Sequence, residues 1–328
     1  MFAKKNSFFD LKKFLGQQIL KKGGFVNAHA HLDRSYTLNK HNFFYSQKHL
    51  HEKWVLVDEL KKRSTISQIY DRMAYSLENF LRQKVQAVGS FIDVDEVIKD
   101  KAIKAAQRIK DRYQKSIKIK FINQTLKGVL KKESYYWFKI GAEFCDIIGS
   151  LPAKDHPHEE RHLDVVFQEA KRLKKIIHAH VDQLNTQKEK ETEILAKKTL
   201  EYNYQGKVVA IHSISLAAHS KSYREKIYSL MKKAKLMVVS CPFAWIDSSR
   251  SEEKTVTHNA ITPIDEMTKH QIVVALGTDN IADIYKPFND GDMWLELRLL
   301  LEANRFYQLE KLVEIATING LKVLDLIK

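Results

Sequence analysis

Short apolar runs rich in β-branched residues alternate with charged stretches of helical period along most of this 328-residue sequence, and this alternation constrains the fold most. The runs that read as strands occupy residues 24–32, 85–94, 117–126, 144–152, 175–183, 207–215, 236–244 and 272–280. Strand–helix alternation favours a parallel sheet, and eight repeats at this length predict an α/β fold closed as a (β/α)8 TIM barrel. A doubly wound sheet also alternates, but it typically carries a glycine-rich turn after its first strand, and AHAHLDRS has no glycine.

Polar side chains stand at the C-terminal ends of several predicted strands, which is where (β/α)8 enzymes place their catalytic groups. They are His29, His31, Asp93, Gln124, His178, His180, His212 and Asp279. Residues two apart on a strand share a face, so the members of each strand-borne His-x-His pair point the same way. Inward polar groups are costly in a packed core unless something satisfies them. The strand ends therefore predict a functional site.

Four His-x-His pairs occur in the sequence, and their contexts differ. The pairs at 49–51 and 156–158 lie in polar sequence, and we interpret both as surface. The two strand-borne pairs recur with His212 and Asp279 on other strands of the same barrel. Several neutral imidazoles with one carboxylate suit Zn²⁺ and are tolerable for Fe²⁺. The alternative is ordinary hydrogen-bonded core histidines, and it is strongest for the lone His212.

Composition excludes several classes of function. The net charge is +15, but the lysines are spread over helical stretches without a nucleic-acid motif, so a solvated basic surface is the preferred interpretation. The sequence has no apolar run long enough to predict a membrane span. Cys145 and Cys241 imply no disulfide framework, and we expect a reducing cytoplasm.

The chain divides into a lysine-rich, helical N-terminal extension over 1–23 and the predicted barrel over 24–328. The extension is too charged for the core of a signal peptide. The segments 33–84 and 244–263 are the natural places for active-site loops. A homo-oligomer is left open.

The strand-end motifs, taken together, resemble the amidohydrolase superfamily and most closely its cytosine deaminase-like branch. The resemblance runs from GFVNAHAHLD through IIHAHVDQ, VVAIHSIS, VVSCP and VALGTDNIADIYKPFNDGDM to LVEIATINGLKVLDL, which is nearly the whole chain. The HxHLD start and the GTDNxxD segment are specific in combination, whereas each alone is a modest signal.

The resemblance implies a role for each matching residue. His29, His31, His180 and Asp279 would bind one divalent metal, Zn²⁺ first and Fe²⁺ as the alternative. His212 would bind the metal or the substrate carbonyl oxygen. A metal-bound water would attack the substrate, and Asp279 would take up its proton. Gln124 falls where the family places a glutamine that hydrogen-bonds the substrate ring.

Three positions depart from the family's deaminase pattern. Gln183 stands where a glutamate shuttles a proton, and an amide does not transfer protons usefully at neutral pH. Asn280 replaces a second aspartate and Tyr285 a ring-stacking tryptophan, so cytosine itself is in doubt as the substrate. Gln183 is kept in the catalytic set, and Asp93, Gln124, Asn280 and Tyr285 form the candidate substrate-binding set.

Glu191 and Glu193 are candidates to replace the missing glutamate, although their charged helical surroundings favour an exposed face. Family members also carry an accessory β-sandwich around the barrel. Only 23 residues precede Gly24 and no strands are left over, so we expect a barrel lacking most or all of it.

Two hypotheses follow from the sequence. The first is a metal-dependent hydrolase that cleaves a C–N bond of a small nitrogen heterocycle, by deamination or cyclic amide hydrolysis. The second is a degenerate barrel that binds a ligand or partner without turnover, motivated by Gln183 and Asn280. Nucleic acid and membrane are not expected partners.

Overall fold

The computed structural model describes residues 9–246, 250–254 and 256–327. Each of the apolar runs predicted as a strand contains one. The strands are β1 (Phe25–Ala30), β2 (Val85–Asp93), β3 (Lys118–Gln124), β4 (Ile148–Ser150), β5 (Ile177–Val181), β6 (Val208–His212), β7 (Met237–Ser240) and β8 (Val274–Leu276).

The strands follow one another around a ring in chain order. β1 to β3 pair in parallel, and so do β4 to β8. Two single parallel bridges join these groups, Ile122 with Ile147 at one seam and Ala30 with Asp279 at the other. The eight strands therefore close a barrel, and their C-terminal ends meet at one mouth. The TIM barrel prediction is confirmed.

Helices cover the outside of the barrel. They are α1 (Leu11–Lys21), α2 (Leu50–Arg63), α3 (Ile66–Arg82), α4 (Lys101–Tyr113), α5 (Lys132–Phe144), α6 (Glu159–Leu173), α7 (Glu191–Glu201), α8 (Lys221–Ala234), α9 (Ile264–Lys269), α10 (Met293–Asn304), α11 (Leu309–Ala316) and α12 (Ile318–Val323).

Helix α3 shows how the sequence fixes these elements. Thr65 caps it by accepting a hydrogen bond from the Gln68 backbone amide, and the Gln68 side chain in turn accepts one from the Thr65 backbone amide. Met73, Leu77 and Phe80 recur at helical spacing and are fully buried. Each contributes about 1.5–3 kcal/mol of burial free energy against the barrel.

The barrel floor is closed by α12, which packs against β1, β7 and β8. His178 lies within β5 and is fully buried, and its Nε2 hydrogen-bonds the Val323 carbonyl at 2.7 Å. That carbonyl ends α12 and has no partner within the helix. Burial lowers the pKa of His178 to about 3, so the ring is neutral. The hydrogen bond of His178 therefore connects α12 to β5, and His178 lies deeper in the barrel than His180.

The N-terminal stretch, from residue 9 onward, contains α1, which buries Leu15 and Ile19 against the body. Residues 1–8 of the predicted extension lie outside the described residues, as do 247–249 and 255 of the predicted loop 244–263. Within the described ranges every named strand belongs to the barrel, so no second sheet forms there. No helix in that part of the chain is long and apolar enough to cross a membrane.

Helix α2 covers the barrel mouth through an apolar cluster separate from the main core. The cluster consists of Trp54, Val57, Leu126, Leu151, Ile284 and Tyr285. Trp54, Val57 and Lys61 lie on one face of α2 because they are spaced by three and four residues. Lys61 is fully buried, and its Nζ lies 2.5 Å from Asp95 and 3.4 Å from Asp93. The predicted active-site loop 33–84 thus contains the two helices α2 and α3 and is not irregular throughout.

Candidate metal centre and substrate cavity

Strand β1 ends in His29 and His31, which point together into the barrel mouth. Their ring centroids are 4.9 Å apart. The Nε2 atoms of both rings lie 3.3 Å from Oδ1 of Asp279. The first and last strands of the barrel therefore deliver three candidate ligands to one point.

The seam between β1 and β8 holds this arrangement by backbone contacts. The amides of Thr278 and Asp279 both donate to the His29 carbonyl at 3.0 Å. The Asn27 side chain donates to Thr278 Oγ1 at 2.9 Å, across the same seam. A Cβ at Gly277 would lie 2.8 Å from the Cβ of His29. Glycine therefore allows the two strands to approach closely enough for Asp279 to reach the histidines.

Strands β5 and β6 add His180 and His212. Potential ligand atoms of His29, His180 and His212 all lie within 4.8 Å of one another, and the same holds for His29, His31 and Asp279. His212 and Asp279 adopt left-handed backbone conformations, with φ of 78° and 59°. Such conformations are unfavourable for residues other than glycine, and they concentrate at functional sites.

Burial sets the protonation of these groups. It lowers the pKa of His31 well below its ordinary value, and the Arg34 charge lowers it further. Burial and the neighbouring His29 lower the pKa of His180 in the same way. For Asp279 burial opposes ionisation, but the adjacent His29 and His31 outweigh it and hold the pKa of the carboxyl well below its usual range. His31 and His180 therefore offer neutral imidazoles and Asp279 offers a carboxylate, which are the states that bind metals.

The chemistry of this donor set fits a divalent ion of the zinc type. Both ring nitrogens of His29 and Nδ1 of His180 are buried with no hydrogen-bond partner among the described residues. Buried polar atoms of that kind are rare and require an explanation. A metal bound by imidazole nitrogens and a carboxylate oxygen supplies one.

A cavity lies above the candidate ligands at the barrel mouth, with about 450 Å³ of space when open solvent is included. Of the predicted residues it is lined by His31, Gln124, His180, Gln183, His212, Asp279, Asn280 and Tyr285. Leu50 and Gln183 also line a wider groove of about 2050 Å³. The groove connects the cavity with the surface and is the natural access route for a ligand.

Asp93 lies elsewhere than the sequence predicts. It ends β2 but does not line the cavity, because both of its oxygens face the Arg34 guanidinium, at 3.1 and 3.2 Å. Lys61 approaches it from α2. Asp93 therefore positions Arg34 by accepting its hydrogen bonds and does not face the cavity.

Asn280 and Tyr285 are positioned by Asp283. One carboxylate oxygen accepts from the Asn280 side chain at 2.6 Å, and the other accepts from the backbone amides of Tyr285 and Lys286 at 2.8 and 3.0 Å. The segment after β8 thus presents Asn280, Tyr285 and Lys286 to the cavity wall.

The interpretation of Glu191 and Glu193 as an exposed face is wrong. Both are buried. Glu191 accepts from the Asp182 amide at 2.9 Å, and Asp182 accepts in return from the Glu191 amide at 2.7 Å. Glu193 accepts from the Tyr223 hydroxyl at 2.9 Å. Neither lines the cavity, so neither replaces the missing glutamate at 183.

The exposed histidine pairs behave as predicted, since His49, His51, His156 and His158 are all at the surface.

A different histidine, His162, forms a hydrogen-bonded row with Ser150 and Asp155, at 3.0 and 2.7 Å. The order serine, imidazole, carboxylate is that of a hydrolytic triad. Ser150 is fully buried and does not line the cavity, so the row holds the end of β4 in place.

Sequence reasoning missed seven residues of the cavity wall: Arg34, Leu50, Trp54, Leu151, Ile214, Ala244 and Lys286. Arg34 follows HAHLD directly, so the rule for strand ends could have found it. Leu50 and Trp54 reach the cavity only because α2 folds over the mouth, and no local pattern signals that.

Comparison with known proteins agrees with this geometry. The sequence model described as "Amidohydrolase family" matches residues 21–328. The chain therefore belongs to the amidohydrolase family, and it is a hydrolase, as the sequence predicts. A divalent metal is typical of the family.

Three individual proteins show which members of the family the chain is similar to. An uncharacterized protein of Haemophilus influenzae is 46% identical over 260 residues, covering 78% of this chain and 94% of that one. N-isopropylammelide isopropyl amidohydrolase of Pseudomonas sp. (strain ADP) is 27% identical over 318 residues, covering 93% and 75%. The crystal structure of 5-methylcytosine deaminase from Klebsiella pneumoniae liganded with 5-fluorocytosine superposes with a TM-score of 0.84 at 19% identity, covering 92% and 74%. The resemblance to the cytosine deaminase-like branch is confirmed.

The two histidines of β5 provide a matched pair of variants. We expect His180→Leu to lose the bound metal because it removes a ligand. His178→Leu should keep about one equivalent of metal, while the unpaired Val323 carbonyl lowers the free energy of unfolding by about 1–3 kcal/mol. Elemental analysis and urea unfolding measure the two effects. Loss of metal in His178→Leu with retention in His180→Leu would reverse the assignment.

Gly277→Ala tests the seam. Its methyl group would press on His29, so we expect reduced metal affinity and a loss of about 1–3 kcal/mol in stability. Gly16→Ala on α1 is the control, because its methyl group meets only Trp294 at 3.5 Å. The seam has no such role if both variants bind metal and unfold like the wild type.

Proposed function

We propose that this chain cleaves a C–N bond of a small nitrogen heterocycle with the help of one divalent ion, zinc first and iron as the alternative. The reaction is deamination or hydrolysis of a cyclic amide. The observation that carries the proposal is the convergence of His29, His31, His180, His212 and Asp279 beneath a cavity at the barrel mouth.

His29, His31, His180 and Asp279 would hold the ion, with His212 beside it. When bound, such an ion supplies a water of lowered pKa and stabilises negative charge at the reacting centre. His212 also lines the cavity and can bind a substrate oxygen there.

Asp279 would act as the proton shuttle. Its carboxylate is ionised, faces the cavity and lies 3.3 Å from the Nε2 atoms of His29 and His31. It takes a proton from the attacking water and returns it to the leaving nitrogen. Positioned acid–base catalysis of this kind contributes about 10²–10⁴-fold in rate.

Gln183 and Gln124 would hold the substrate ring. Each amide can donate and accept hydrogen bonds without transferring a proton. The Oε1 of Gln124 is buried with no partner among the described residues, so it is available to an N–H of the ring. Asn280 and Tyr285 complete the candidate substrate contacts.

The relatives support a heterocyclic substrate. A relative that is 27% identical over 93% of this chain is named for hydrolysis of N-isopropylammelide, and a protein of the same fold is named for deamination of 5-methylcytosine. The buried free thiols of Cys145 and Cys241 are compatible with the proposed cytoplasmic location. A homo-oligomer stays a prediction.

The test combines metal analysis with a panel of aminopyrimidines, aminotriazines and cyclic amides scored for released ammonia or amine and for ring opening. We expect about one equivalent of metal per chain and turnover that chelators abolish. Asp279→Asn should lower kcat by about 10²–10⁴-fold, because it removes the proton shuttle.

Asp290→Asn is the control, since it neutralises an exposed carboxylate in the same loop region. A folded protein that takes up no metal would contradict the proposal. So would an Asp279→Asn variant as active as the wild type. Metal binding without any turnover would favour the non-catalytic barrel instead.

A further inference from the structure

A buried arginine forms part of the cavity wall. Arg34 follows β1 and is 4% exposed, yet it lines the cavity beside His31 and Gln124. A guanidinium remains charged in a protein. The cavity therefore contains a fixed positive charge, which neither the metal site nor the proposed proton shuttle uses.

The surroundings fix the orientation of this guanidinium. Nη1 donates to both oxygens of Asp93, Nη2 lies 2.9 Å from Nδ1 of His31, and the group lies 5.2 Å from the centre of the Tyr285 ring. Asp93 is in turn shared with Lys61. Lys61 is also paired with Asp95 at 2.5 Å, so two cations face two carboxylates, and both hydrogen bonds from Arg34 to Asp93 come from Nη1. A pre-organised arginine loses little conformational entropy when it binds a ligand.

One hydrogen-bond donor of Arg34, its Nε, is not used by the contacts described above. Its Nε is buried without a hydrogen-bond partner in the described part of the chain, and so is the Oε1 of Gln124. Leaving a charged donor unpaired in the interior is costly, and a ligand oxygen would recover that cost. A second cation, Lys286, lines the same cavity and is also buried.

We propose that Arg34 is a specificity-determining residue that binds an oxyanion of the substrate, so that the preferred substrates are heterocycles carrying negative charge. Gln124 would accept from an N–H of the same ring. This inference rests on the proposed function. The oxyanion can be an ionised ring oxygen or a carboxylate substituent, and the experiment separates the two.

The test measures binding of three pyrimidine rings to the metal-containing protein by titration calorimetry. Uracil is neutral, barbiturate carries an ionised ring oxygen, and orotate carries a carboxylate. We expect at least one anion to bind about tenfold or more tightly than uracil, with barbiturate favoured for a ring oxyanion and orotate for a carboxylate. Arg34→Met should remove the preference, and Arg34→Lys should keep part of it because the charge remains without the planar fork.

Arg63→Met is the matched control, since it removes an exposed positive charge from α2 and should leave all three affinities unchanged. If Arg34→Met does not fold because Asp93 loses its partner, the double variant Arg34→Met, Asp93→Asn gives the same comparison. Metal content is measured for every variant.

The proposal is overturned if neither anion binds the wild type more tightly than uracil. It is also overturned if a folded, metal-containing Arg34→Met variant keeps the preference. The readout needs no turnover. If the protein prefers anions but releases no product, the proposed reaction alone is contradicted. If it turns over neutral rings and shows no anion preference, this inference alone is contradicted.

Discussion

The closure of the barrel between β1 and β8 is the constraint on which the site depends. Two backbone amides of the β8 segment converge on the single carbonyl of His29. This contact joins the first strand to the last and sets the distance between Asp279 and the histidines of β1. The same hydrogen bonds, from the amides of Thr278 and Asp279 to the His29 carbonyl, thus close the barrel and set the geometry of the candidate ligands. The left-handed conformation of Asp279 is held by this seam.

A chain of buried charges extends from the site to the helix above it. Lys61 of α2 lies between Asp93 and Asp95, and Asp93 holds Arg34 at the cavity wall. Removing one member of a buried ion pair typically costs several kcal/mol, because the other charge remains uncompensated. The position of α2 and the shape of the cavity are therefore linked by electrostatics as well as by apolar packing around Trp54.

Much of the fold and the candidate ligand set could be predicted from local sequence. The strand pattern is a short-range signal, and the rule that parallel strands end at one mouth brings distant histidines together. The direction of Asp93 could not be predicted, since it depends on a lysine that arrives from α2. The burial of Glu191 likewise depends on reciprocal hydrogen bonds with Asp182, although its sequence neighbours are charged. Local patterns do not encode such pairings between separate segments.

The cavity is assembled from two kinds of part. Its base is built from strand ends whose backbone closes the barrel, so substitutions there affect folding and chemistry together. Its roof is the 14-residue helix α2, which packs through a cluster of its own. A different helix at this place would need an apolar face for that cluster and a cation for Asp93 and Asp95. A change in this helix can thus reshape the cavity wall through Leu50 and Trp54, while the strand ends that carry the histidines stay in place.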